Sequence, residues 1–222
     1  MARFDAPRLD LLSINFFNDT VFDIPQLLQL ISRTPTLKAF EKAHVCFGTR
    51  GARLSLSSRK SGYGVSIVRI WCSKSDFQVS FIEHVCTSCL PPVSRLEDLY
   101  IFKDEYLYDV WQSNVENTLW LELLHLFSAV KNLYLCKKFA PHIVPALQEL
   151  VGGRATEMLP TLQNIFLEAS GPVQDSIEQF VATRQVASPI AVSHWENSEH
   201  DKTGIALFLP SWGREFGRVT LG

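Results

Sequence analysis

One apolar register, L-x-x-L-x-x-L-x-L, recurs along the 222 residues of this chain and constrains its fold more than any other feature. In "LPTLQNIFL" it is occupied by Leu159, Leu162, Ile165 and Leu167. The last two stand two apart, a spacing that sends both side chains to one face of a β-strand. The register returns as Val93, Leu96, Leu99 and Ile101 in "VSRLEDLYI" and as Phe127, Val130, Leu133 and Leu135 in "FSAVKNLYL". It also fits Ala6, Leu9, Leu12 and Ile14, and Leu37, Phe40, Ala43 and Val45. Shorter copies are Val65, Val68 and Ile70, then Ile190 and Val192. The leading residues of the paired positions, Leu12, Ala43, Val68, Leu99, Leu133, Ile165 and Ile190, follow one another at spacings of 25 to 34 residues. Such a period marks one supersecondary unit used repeatedly.

Between the expected strands lie segments with helical periodicity. These are "FDIPQLLQLISRT" at 22–34, "FQVSFIEHVCTS" at 77–88, "NTLWLELLHLF" at 117–127, "FAPHIVPALQELVGG" at 139–153 and "SGPVQDSIEQFVATRQ" at 170–185. Ser170 is a cap candidate for the last, and Gly152-Gly153 ends the one before it. Alternating strand and helix predicts parallel strands joined by crossover helices, either as a curved solenoid or as a doubly wound open sheet. Two observations favour the solenoid. The strands are short and alternating rather than continuously apolar, and no G-x-G-x-x-G phosphate loop follows an early strand, Gly62-Tyr63-Gly64 being a turn. The expected architecture is therefore an α/β leucine-rich-repeat solenoid of about seven irregular repeats over residues 1–193, a curved parallel sheet with helices on its convex side. Residues 194–222 break the rhythm and form a capping or poorly ordered tail.

Composition excludes several classes. With 46% hydrophobic residues the chain buries a sizeable core. Its 21 basic and 23 acidic residues form no like-charged block, which argues against nucleic acid as a partner. No signal peptide and no run of eighteen apolar residues occurs, so a cytoplasmic or nuclear protein without a membrane partner is expected. Five cysteines at irregular spacing read as reduced, mostly buried thiols.

The wording of the repeats carries a resemblance. "ISRTPTLKAFEKAHVCF", "CLPPVSRLEDLYI", "NTLWLELLHLFSAVKNLYL" and "ALQELVGGRATEMLPTLQNIFLE" resemble the leucine-rich-repeat region of fungal F-box-like proteins, over roughly residues 3–198. The resemblance implies an adaptor whose repeats hold a protein substrate for a ubiquitin ligase. An F-box would dock the ligase core through a Skp-type linker, but no helical F-box segment precedes the first repeat strand, so that partner is expected only if an F-box is supplied elsewhere. "MARFDAPRL" is too short for a capping unit, which keeps open a truncated structural fragment without independent activity. The sequence departs from the best-known repeat pattern after each strand, where Phe17, Gly48, Ser73, Asp104, Lys138 and Ser170 stand in place of a laddering asparagine.

Residues between the inward pairs face the open side of the sheet. They are Ser13, His44, Arg69, Tyr100, Tyr134, Phe166 and Ala191, and the next outward positions add Asn15, Cys46, Trp71, Phe102, Cys136 and Glu168. The expected protein-binding surface is His44, Arg69, Trp71, Tyr100, Phe102, Tyr134, Phe166 and Glu168, with a contiguous aromatic stripe of Trp71, Tyr100, Phe102, Tyr134 and Phe166. A one-residue slip in register would instead place these rings in the core. No catalytic residue, metal site or cofactor is expected. His84, Cys86 and Cys89 make only half of a zinc set, His125 reads as a core or boundary histidine, and no nucleophile motif is present. The alternative reading is a small α/β enzyme of unspecified reaction.

Overall fold

The structure, a computed structural model, describes residues 11–17, 40–49, 51–57, 65–72, 74–88, 93–103, 115–148, 158–168, 173–184 and 189–195. Eight strands form one open sheet: β1 (Leu11–Phe17), β2 (Lys42–Gly48), β3 (Gly51–Ser57), β4 (Val65–Trp71), β5 (Asp98–Lys103), β6 (Asn132–Leu135), β7 (Asn164–Glu168) and β8 (Ala191–Trp195). Helices α1 (Ser75–Ser88), α2 (Asn117–His125), α3 (Ala140–Gln148) and α4 (Val173–Arg184) connect the later strands. The strand order is β1-β4-β3-β2-β5-β6-β7-β8. Seven strands run the same way, and β3 alone runs antiparallel to both neighbours.

The repeated register has a structural meaning. Its first two residues bracket a tight turn: Leu96 N–H donates to Val93 C=O, Val130 N–H to Phe127 C=O and Leu162 N–H to Leu159 C=O, at 3.0–3.1 Å. Its last two enter the strand and are buried, as Leu99 and Ile101, Leu133 and Leu135, and Ile165 and Leu167. Where each strand begins, one carbonyl of the preceding unit accepts two N–H groups. Glu41 C=O takes those of Glu97 and Asp98, Glu97 C=O those of Lys131 and Asn132, and Lys131 C=O those of Gln163 and Asn164. Thr161 Oγ1 adds bonds to the Ser128 and Val130 carbonyls at 3.0 Å, so the Pro-Thr-Leu turn is tied to the unit before it.

The core lies between one sheet face and the helices. Ala43, Val45 and Phe47 of β2 and the equivalent residues of β3 to β7 share a buried cluster with Val79, Ile82 and Val85 of α1, Trp120, Leu123 and Leu124 of α2, Ile143, Val144 and Leu147 of α3, and Ile177 and Phe180 of α4. The helical members recur at three- and four-residue spacing, the apolar stripe that one-sided packing requires. Phe47 sits at the centre, with ring centroids 5.4 Å from both Trp120 and Phe139.

Several expectations are corrected here. Strand and helix do not alternate throughout. The segment "ARLSLS" is a strand of its own, paired antiparallel with β2 so that Gly48 stands opposite Gly51. β4 therefore lies two strands from β2, and β1 pairs with β4 rather than with β2. Only β2, β5, β6, β7 and β8 follow one another as the regular series of seven anticipated. β8 begins at Ala191 and places Val192 opposite Ile165, so Ile190 precedes the strand, and the sheet runs through the boundary drawn at residue 193 to Trp195. His125 is exposed at the end of α2 instead of lying in the core or at its boundary. Segment 22–34, Gly62-Tyr63-Gly64, Gly152-Gly153 and Ser170 lie outside the described residues. No described helix is long and apolar enough to cross a membrane.

Candidate functional site

Parallel in-register pairing sets equivalent residues of successive units side by side, about 4.8 Å apart. On the face away from the helices this aligns His44 with Tyr100, Tyr100 with Tyr134 and Tyr134 with Phe166. The strand spacing is close to the thickness of an aromatic ring, so planar side chains stack along the row. Centroids lie 4.4, 4.1 and 4.4 Å apart, with planes 3°, 6° and 8° from parallel. Phe102, two residues further along β5, meets His44 edge-on at 6.1 Å.

A polar row runs beside the rings, two residues earlier in each strand. Asn132 Nδ2 donates to Asp98 Oδ1 at 2.6 Å and Asn164 Nδ2 donates to Asn132 Oδ1 at 2.7 Å. An amide ladder thus exists, but it lies at the start of the strands, whereas the departure noted in the sequence concerned the positions after them. Asp98 is 4% exposed, and the amide it accepts supports its carboxylate there. Lys42, level with Asp98, holds its Nζ 5.8 Å from the Tyr100 ring centre.

The electrostatics at the β2 end are positive. Burial, then Lys42 and Arg53, lower the His44 imidazole from 6.5 to about 4, against a smaller opposing effect of Asp98. The ring that stacks on Tyr100 is therefore neutral near pH 7. At the other end Glu168 accepts the Lys137 backbone N–H at 3.2 Å, while burial pushes the Cys136 thiol upward.

Of the expected surface residues, the structure brings His44, Tyr100, Tyr134 and Phe166 into one stack, with Phe102 against it. Arg69 and Trp71 are not part of it, because β3 intervenes: Arg69 pairs with Arg53, and Trp71 with Gly51. The stripe does not extend to Trp71. Ala191 is also displaced from the row, since Ser193 stands opposite Phe166. Glu168 lies one step beyond Phe166, level with Trp195.

Two residues of this face were missed in the sequence. Trp195, assigned to the tail, sets its ring edge-on against Tyr134 at 5.5 Å and Tyr100 at 6.1 Å. Arg53 comes from the unrecognised β3, although Ala52, Leu54 and Leu56 alternating with Arg53, Ser55 and Ser57 carried the two-residue period of a strand. Among the half-zinc residues, His84 is exposed and Cys86 buried on α1, while Cys89 lies outside the described residues. Among the described residues no group of three or more metal-ligating side chains gathers, and Cys46, Cys72, Cys86 and Cys136 are free thiols. This face carries a stacked row of rings beside a row of amides, with Tyr100 itself buried. No family model matches the chain, and no curated protein and no solved structure matches it.

Proposed function

We propose that the chain is a non-catalytic protein-binding scaffold whose recognition surface is the aromatic row His44, Tyr100, Tyr134 and Phe166 with Phe102 beside it. The observation that carries this reading is the stack itself, four rings in register on the sheet face opposite the helices. Aromatic anchors supply most of the binding energy at protein interfaces. Rigid stacking lowers the entropy lost when they engage a partner.

The same row supports a leucine-rich-repeat-like solenoid built from β2, β5, β6, β7 and β8. Ring centroids 4.1–4.4 Å apart are closer than the ~4.8 Å between strands. Side chains that converge in this way are what a concave face requires. Repeated turns and repeated carbonyl bifurcations at equivalent positions support it further. By resemblance to fungal F-box-like proteins, the partner would be a protein presented for ubiquitination, with the ligase core engaged through an F-box supplied elsewhere.

The test is a pull-down from a fungal extract with the wild-type chain beside a Tyr134→Ala/Phe166→Ala chain, both checked by circular dichroism. Proteins held by the first and lost by the folded second support the scaffold. Identical sets, or none, overturn it.

A further inference from the structure

The aromatic row stops one strand short of the β8 edge. Its positions on β2, β5, β6 and β7 hold His44, Tyr100, Tyr134 and Phe166, and the next, on β8, holds Ser193. Phe166 stacks one face on Tyr134, at 4.4 Å and 8° from parallel, and turns the other towards this exposed serine. Among the described residues no second ring meets Phe166. Trp195 leaves the place open, because its ring, although carried by β8, reaches back to Tyr134 and Tyr100. At the other end of the row His44 is followed by Ser55, which is buried. The amide row stops at the same edge as the rings, since Asn164 pairs with Ala191, again small and exposed.

Two acceptors share the strand face of Phe166. Side chains two residues apart stand about 7 Å from each other along a strand, which sets Asn164 on one side of the ring and Glu168 on the other. Asn164 turns its Nδ2 to Asn132 at 2.7 Å. Glu168 accepts the Lys137 backbone N–H on Oε2 at 3.2 Å. Among the described residues no donor reaches Asn164 Oδ1 or Glu168 Oε1, and no ion pair neutralises the Glu168 carboxylate, not even with Lys137, which is exposed.

An open ring face beside acceptors that lack donors matches a group that is planar, cationic and donor-only. The guanidinium of arginine has all three properties: it stacks on an aromatic face and sends its N–H groups outward in its own plane. An ammonium brings the charge without a face to stack, and a phenyl ring brings the face without a donor. We propose that the position over Ser193 is a binding site for an arginine side chain of the bound protein. The guanidinium extends the stack by one, Glu168 supplies its counter-charge, and Asn164 Oδ1 accepts an N–H of the same segment. The place of the site stands on the geometry of β7 and β8, and the protein origin of its ligand rests on the scaffold reading above.

The test is an NMR titration of the isotope-labelled full chain with N-acetyl-arginine amide, beside N-acetyl-lysine amide and N-acetyl-phenylalanine amide at matched ionic strength. The arginine probe is expected to shift the Phe166 and Val192 amide resonances saturably at millimolar concentration, and the other two to bind about tenfold more weakly. Ser193→Phe puts a ring in the open position at an exposed site, so it keeps the fold and loses the response. Glu168→Gln keeps the shape without the charge and should weaken binding about tenfold. The site is overturned if the arginine probe gives no saturable shift, if Ser193→Phe or Glu168→Gln responds as wild type does, or if the lysine or phenylalanine probe binds as well as the arginine one. A saturable arginine response with no difference in the Tyr134→Ala/Phe166→Ala pull-down retains the site and rejects the scaffold. A pull-down difference without that response keeps the scaffold and rejects the site.

Discussion

Tyr100 and Tyr134 belong to successive units, yet their rings lie 4.1 Å apart with planes 6° from parallel. Their strands pair in register, and that register sets the distance.

Tyr134 has a stacked ring on each side, Tyr100 and Phe166. Truncating it to alanine removes both contacts, and at about 1 kcal/mol for each aromatic pair plus lost burial the expected cost is ~2–4 kcal/mol. Tyr134→Phe keeps the stack and should stay within ~1 kcal/mol of wild type. Urea denaturation of the two variants checks the difference.

His44 makes stability depend on pH. Its imidazole is held at about 4 in the folded chain against 6.5 ordinarily. Between those values the unfolded chain takes up a proton that the folded chain does not. Stability is therefore complete above about 6.5, falls as pH drops towards about 4 and levels off below, by at most ~3 kcal/mol from this group. His142, also lowered by burial, adds a slope of the same sign. His44→Phe preserves a stacking ring without a titrating group, so denaturation at pH 7 and pH 4.5 should differ less for that variant than for wild type.

Asn132 is the middle rung of the polar row and bonds both neighbours. Asn132→Ala leaves the buried Asp98 carboxylate short of a donor, an expected loss of ~2–3 kcal/mol. Asn132→Asp sets two carboxylates opposite each other and should cost at least as much at pH 7, with part recovered on acidification. Melting curves at pH 7 and pH 5 distinguish the two variants.

Gln78, fully buried at the start of α1, donates from Nε2 to the Gly48 carbonyl at 2.8 Å and to the Cys72 carbonyl at 2.7 Å. It locks the hairpin end to the strand that follows. Gln78→Leu removes the donor from the buried bond to Gly48 and the part-buried bond to Cys72, and ~2–4 kcal/mol should be lost by chemical denaturation. By comparison the Lys131–Glu97 ion pair, 2.8 Å long with both side chains at least a third exposed, should change stability by less than ~1 kcal/mol when Lys131 becomes Met.

Gly51 opens β3 where β4 passes close. A Cβ there would meet the Ile70 carbonyl oxygen, a backbone atom that cannot swing aside. Gly51→Ala should lower the melting temperature markedly, whereas Ser57→Ala at the other end of the strand should not, and a thermal melt of each checks the contrast.

Local pattern is enough to say which residues face inward. A two-residue strand period and a three-to-four-residue helix period are local properties, and they named Leu99, Ile101, Leu133, Leu135, Ile165 and Leu167 as buried and Tyr100, Tyr134 and Phe166 as their outward neighbours. The tertiary structure decided which strand lies beside which. Periodicity assigns a face to a side chain but says nothing about its neighbour across the sheet, because pairing is a non-local choice among strands of similar pattern. That choice placed β3 and β4 between β1 and β2, took Trp71 away from the aromatic row, put Arg53 opposite Arg69 and brought Trp195 to Tyr134. The order depends on the antiparallel pairing that sets Gly48 opposite Gly51, where strands close in sequence meet at the least loss of chain entropy.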